Sequence, residues 1–177
     1  MSTPIPIIPA PTDFAIANLS FTGSTTVLPY RPMLEELYQE IILDHYRRPR
    51  NRGTTVPADI CAKETNPLCG DEIEVTAKIV DGKIAEVKFD GHGCSISLAS
   101  ASIMTGRLVG KTLPEALNYI ENFQKMMRGD MPYGGKELGD LKALEGVLKF
   151  PVRVKCATLA WHTAQRGITA KVGKLPA

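Results

Sequence analysis

Apolar residues change their spacing along this chain, and each change marks an element. Leu34, Leu37, Tyr38, Ile41 and Ile42 fall at i, i+3, i+4, i+7 and i+8, one stripe of a helix that Pro49 stops. Past Gly70 the period drops to two: Ile73, Val75, Ala77 and Ile79 alternate with Glu72, Glu74, Thr76 and Lys78. Asp81-Gly82 reads as a hairpin turn, after which Ala85, Val87 and Phe89 alternate with Glu86, Lys88 and Asp90. This predicts an antiparallel hairpin with one wet face, and a third strand from within 54–65 would complete a small sheet. Helical spacing then returns. SISLASASIMTGRLVG is a small-residue helix closed by Gly110. Thr112-Leu113-Pro114-Glu115 is a capping box with proline in the first turn, placing Leu113, Ala116, Leu117, Ile120, Gln124 and Met127 on one face. GDMPYGGKELG is a glycine-rich loop, Leu141–Leu148 a short helix, and a last helix runs from Pro151 to a stop at Gly167. The expected class is α+β: a small antiparallel three-stranded sheet with helices packed on one face.

Residues 1–32 show neither period and are rich in Pro, Thr and Ser. They read as a flexible N-terminal extension, with a short ordered piece near Ile16–Phe21 or an arm packed on a neighbour as the alternatives. Residues 33–170 form the expected domain and 171–177 a C-terminal tail. A net charge of +2, with no dense Lys/Arg stripe, argues against nucleic acid as a partner. No apolar run approaches the ~20 residues that span a bilayer. The N-terminus lacks the basic stretch of an export signal, so a cytoplasmic location is expected, where thiols stay reduced. There the four cysteines read as metal ligands or reactive groups rather than as disulfides.

Three of those cysteines occupy similar places. Cys69 lies in the loop entering the first hairpin strand, Cys94 closes Gly91-His92-Gly93-Cys94 between strand and helix, and Cys156 falls within the first turn or two of the last helix. Two thus stand near helix N-termini, where the dipole and free amides favour thiolate. Glycines 70, 91 and 93 permit close backbone approach or positive φ. With Asp71, two residues past Cys69, the three thiols make four ligands, enough for a tetrahedral zinc site or an iron–sulfur cluster. No Cys-x-x-Cys pair anchors the set, so three buried cysteines with no shared role stand as the alternative.

The segments LYQEIILDHYRRPRNRG, NPLCGDEIEV, FDGHGCSISLASASIM and VRVKCATLAWHTAQRGI together resemble the U-type iron–sulfur assembly proteins, the IscU/SufU/NifU N-domain family, from about Leu34 to Gly167. Lys155 stands where IscU-type members usually have a histidine, and a segment around 125–145 resembles the insertion of SufU-type members, so the resemblance points to that branch. Phe150–Lys155 only faintly echoes the IscU chaperone motif. The resemblance implies a zinc site of Cys69, Asp71, Cys94 and Cys156, with Cys69 accepting persulfide sulfur from a cysteine desulfurase of the SufS type and passing it to downstream cluster-assembly proteins. That would make the chain a zinc-dependent sulfurtransferase. The alternative from another class is a scaffold on which the same ligands build and transfer a [2Fe–2S] cluster.

Other polar residues are read more plainly. Arg153 and Lys155 flank Cys156, where they either offset the negative charge of the ligands or are solvated. His92 reads as a turn residue, His162 as surface, and His45 as a cation at the end of the first helix. The tract RRPRNRG is a solvated basic helix end or a dock for an acidic partner, and Cys61 a half-buried residue outside the ligand set.

Overall fold

A computed structural model describes residues 31–130 and 139–173, with side chains from 36 onward. The N-terminal extension up to residue 30, most of the glycine-rich loop, the helical-stripe position of the Leu34 side chain and the end of the C-terminal tail lie outside the described residues. The chain runs α1 (Arg31–Arg47), β1 (Ile60–Asn66), β2 (Asp71–Val80), β3 (Lys83–His92), α2 (Ser95–Leu108), α3 (Leu113–Arg128), a 3₁₀ segment (Gly139–Lys149) and α4 (Pro151–Val172).

The sheet is the expected antiparallel meander in the order β1-β2-β3. Asp81 and Gly82 both take positive φ, 51° and 74°, the geometry a two-residue hairpin turn requires. Val75 opposes Phe89 and Ala62 opposes Val75, and one irregularity in the β2–β3 pairing falls between Lys78 and Ile79. One face is buried: Ile60, Ile73, Val75, Ala77, Ile84, Val87 and Phe89 enter a core completed by α2, α3, the 3₁₀ segment and α4.

Helix α2 is enclosed almost all round, which its small residues allow. The hydroxyls of Ser100 and Ser102 are bonded to neighbouring elements. Ser100 donates to the Ala157 carbonyl at 2.6 Å and accepts from the Trp161 indole at 2.9 Å. Trp161 is fully buried and stacks on Phe123 with ring centroids 4.0 Å apart. Helix α3 carries the predicted capping box and ends at Gly129 with φ 79°.

Two expectations change. Gly167 does not stop α4, which continues to Val172; a Cβ on Gly167 would lie 2.7 Å from Ile60 Cγ2, so the glycine lets the helix close on β1. His45 is not a surface cation. It is 3% exposed, with Nδ1 2.8 Å from Ser102 Oγ and Nε2 3.1 Å from Asp140, joining α1, α2 and the 3₁₀ segment. It continues the stripe Tyr38, Ile41, Ile42 by one step, whereas Leu37 is 49% exposed. The basic tract is exposed at Arg47, Arg48, Arg50 and Arg52, in keeping with a solvated helix end; Arg50 pairs with Asp44, Arg52 with Asp90, and Gly53 N–H donates to Phe89 O.

Candidate metal centre

The ligand candidates come together at the end of the sheet where β2 begins and β3 finishes. Asn66 and Asp71 are the last paired residues of the β1–β2 ladder, and the turn between them carries Cys69. Backbone amides of Cys69 and Gly70 bond back to the Asn66 carbonyl at 3.3 and 2.8 Å, and Gly70 takes φ 72°. Asp71 opens β2 with its side chain on the buried face. Beyond β3, Cys94 is the N-cap of α2, its sulfur accepting from Ser97 N–H at 3.4 Å. Cys156, on the second turn of α4, points inward beneath the Cys69 turn.

Cys69 Sγ and Cys156 Sγ lie 3.6 Å apart, and a ligand atom of Asp71 joins them in a group with all separations within 4.8 Å. Cys94 is tied to that group through Asp71, whose Oδ1 accepts from the Cys94 amide at 3.0 Å, but its sulfur is not among the three mutually close donors. Exposure is graded: Cys69 is exposed, Cys94 half-buried and Cys156 buried. The fourth cysteine, Cys61, is exposed on edge strand β1 rather than half-buried; its sulfur lies 3.5 Å from Glu74 on the wet face, remote in register from Asp71.

The electrostatics suit a cation. Burial pushes the Asp71 carboxyl up, yet the nearby Cys69 thiol, the Cys94 amide and the other two thiols together hold it below its ordinary range. Asp71 Oδ2 is buried and makes no well-formed hydrogen bond to any described residue. Burial pushes the Cys156 thiol far up, and the Cys69 thiol with the charges of Cys94 and Asp71 pushes the same way. A buried carboxylate oxygen without a partner costs on the order of 1–3 kcal/mol, and a divalent ion bound there would offset it. Soft thiolates with one hard carboxylate form a donor set that zinc accepts. The residues therefore fit the metal.

Known proteins share this chain's sequence pattern and fold. The family model described as the NifU-like N-terminal domain matches residues 37–170. This chain belongs to that family. Among NifU-like N-terminal domains it is 46% identical to the zinc-dependent sulfurtransferase SufU of Bacillus subtilis (strain 168), over 79% of this chain and 95% of that one. It is 41% identical to the iron–sulfur cluster assembly scaffold protein IscU of Streptococcus pyogenes serotype M1, over 76% and 84%. A solved structure from Fervidobacterium islandicum AW-1, assigned as an iron–sulfur cluster assembly scaffold protein for the SUF system, superposes with TM-score 0.69 at 34% identity, covering 76% of this chain and 98% of that one. The three-stranded sheet with its helices is thus the fold of NifU-like N-terminal domains.

The remaining sequence candidates lie around the site without joining it. Arg153 and Lys155 are exposed on the first turns of α4 and pair with no described carboxylate. His92 ends β3 in an exposed position opposite Glu72, and His162 is exposed, with Nδ1 3.2 Å from the Gln124 amide. Of two further residues at the site, Gly93 was expected to permit close approach, and Asn66 escaped the sequence reading. A Cβ on Gly93 would lie 2.8 Å from Asp71 Cγ, so only glycine leaves that carboxylate its place. Asn66 is 7% exposed; it accepts from Leu68 N–H at 3.1 Å and directs its amide toward Cys156 Sγ at 3.9 Å. The Asn66-Pro67 pair was legible as a turn signal, but nothing local placed it against a residue ninety positions later.

Proposed function

We propose that this protein is a zinc-dependent sulfur acceptor of iron–sulfur cluster assembly, with Cys69, Asp71, Cys94 and Cys156 holding the metal and Cys69 receiving sulfur from a cysteine desulfurase. The observation that carries the proposal is the pairing of one exposed thiol, Cys69 on a glycine-bearing turn, with a buried thiol 3.6 Å away and a buried carboxylate beside both. This arrangement offers a single sulfur to a partner. The similarity to a protein named as a zinc-dependent sulfurtransferase favours the same reading. The domain is taken as 33–170 between an extension at 1–32 and a tail at 171–177, with α1 and α4 each reaching two residues past those limits. The setting proposed is the cytoplasm, and among the described residues no helix is long and apolar enough to cross a membrane.

Zinc, when bound, keeps the cysteine sulfurs deprotonated and so supplies thiolate at neutral pH. The Cys69 sulfur attacks the terminal sulfur of the desulfurase persulfide. A new S–S bond forms on Cys69, the old one breaks, and its electron pair stays on the desulfurase cysteine as thiolate. No external oxidant or reductant enters. Cys69 then carries the sulfur to downstream cluster-assembly proteins.

A second reading is favoured by the relatives named as scaffolds: the same donors would hold a [2Fe–2S] cluster as cargo. Metal content of the purified protein, measured with desulfurase turnover for wild type and Cys69→Ser, separates the two. About one zinc per chain, with turnover stimulated by wild type and not by Cys69→Ser, is the expected result. Iron with acid-labile sulfide and no stimulation would replace the acceptor with the scaffold.

A further inference from the structure

Among the described residues, Asn66 is bonded by backbone or side chain to the elements carrying three of the four proposed ligands. Its main chain pairs with Asp71 across the end of the ladder. Its carbonyl accepts the Cys69 and Gly70 amides, and its Oδ1 accepts the Leu68 amide, so both acceptors shape the turn that carries Cys69. Its Nδ2 faces Cys156 Sγ at 3.9 Å.

That last contact places an N–H donor against a sulfur that the proposed site counts as a ligand. A neutral thiol is a weak acceptor, whereas a thiolate is a good one. Asn66 is 7% exposed, and Cys156 Sγ is the acceptor its amide finds among the described residues. Committing a buried amide to a sulfur is worthwhile when that sulfur carries charge. In metal sites, N–H donors to ligating atoms fix their orientation and tune their affinity.

We infer that Asn66 is a positioning residue of the metal site: its amide stabilises Cys156 as the resident thiolate ligand while its oxygens hold the Cys69 turn in the shape that leaves Cys69 reachable. The inference rests on the zinc-site reading and deepens it. One side chain thereby separates the roles of two chemically identical ligands, anchoring the buried sulfur and presenting the exposed one.

The test uses the full chain and two metal probes. Zinc affinity is measured by competition with a chromophoric chelator, and the sulfur-to-metal charge-transfer band is recorded with Co²⁺ in place of Zn²⁺. Asn66→Ser keeps a short acceptor for the Leu68 amide but cannot reach Cys156. It is expected to bind zinc about 10- to 100-fold more weakly and to shift the cobalt band. If Asn66→Ser unfolds, Asn66→Asp, which keeps the Leu68 acceptor and replaces the N–H donor with oxygen, carries the same expectations. Affinity within about twofold of wild type, or weakened affinity with an unmoved cobalt band, would overturn the inference and leave Asn66 as a turn residue only. Wild-type protein that binds no zinc would instead overturn the site reading beneath it.

Discussion

Substituting Gly93 by alanine tests whether the carboxylate is placed for a ligand. The added Cβ would sit 2.8 Å from Asp71 Cγ, 3.0 Å from its Cβ and 3.0 Å from its Oδ1. Carbon atoms in van der Waals contact stand about 3.5–4.0 Å apart, so the deficit is at least about 0.7 Å. Asp71 cannot absorb this by swinging into solvent, because it is 3% exposed and starts a buried strand. Gly93 cannot retreat freely either, since its neighbour Cys94 both caps α2 and bonds Asp71 Oδ1. Something must move, and the polar contact is the softest of these restraints. Overpacking of this kind costs about 1–3 kcal/mol. At about 2–4 °C per kcal/mol for a chain of this size, the metal-free protein should melt roughly 2–12 °C lower.

The larger effect falls on the metal. In the proposed site a carboxylate turned away removes one of four donors, and zinc affinity should drop about 10- to 100-fold or more. The assay is chelator competition, run beside thermal melts with and without zinc. In Gly93→Ala the stabilisation gained from added zinc should shrink along with the affinity, because bound metal stabilises only through its occupancy of the folded state. A variant that binds zinc as tightly as wild type and melts at the same temperature would refute the placement of Asp71 against Gly93.

Two further glycines are expected to respond with opposite sign. Gly167→Ala forces a Cβ to 2.7 Å from Ile60 and 3.1 Å from Ala62 and should lose about 1–3 kcal/mol, while Gly106→Ala, in α2 with open space around it, should gain up to about 1 kcal/mol; denaturant titration reads both. His45 should make stability depend on pH. Burial lowers its pKa against the opposing Asp140 hydrogen bond, so the unfolded chain takes up the proton at higher pH than the folded one. That contribution is full above about pH 6.5 and is lost as the pH falls below it. In melts of the metal-free protein, the advantage of wild type over His45→Gln should narrow from about pH 7.5 to about pH 5.5, and a constant gap would refute it.

What the sequence could disclose depended on how local the cause was. The β2–β3 hairpin was readable because alternation and the Asp81-Gly82 turn are short-range signals, and the Thr112–Glu115 capping box is contained in four residues. The four ligand candidates were readable as residue types beside glycines. The approach of Cys69, Asp71 and Cys156 was not, because Cys69 and Cys156 meet across eighty-seven positions of chain. The errors share that cause. His45 was judged by the charge preference of a helix end, although its position on the α1 stripe already placed it inward, opposite Ser102 and Asp140. Gly167 was judged as a helix breaker, because nothing in α4 itself reveals that Ile60 of β1 presses against it. Cys61 is exposed because the β1 register turns its side chain outward beside Glu74, which the residues around it do not reveal.

The graded exposure of the three thiols gives the site its direction. Cys156 rises from a long helix anchored by Trp161 and Ser100, so displacing it would disturb the core. Cys94 is the cap of α2, and moving it would release the Ser97 amide. Cys69 is held by a turn whose bonds all run through backbone amides and Asn66, and its own side chain is exposed. Motion of Cys69 therefore costs the least of the three. Asp71 adds a second asymmetry: a hard oxygen between soft sulfurs binds a borderline metal less tightly than a fourth thiolate would. A site made only for stability would use four cysteines on rigid supports. Three rigidly held donors beside one movable, reachable sulfur form an arrangement suited to exchange, and the movable position is Cys69.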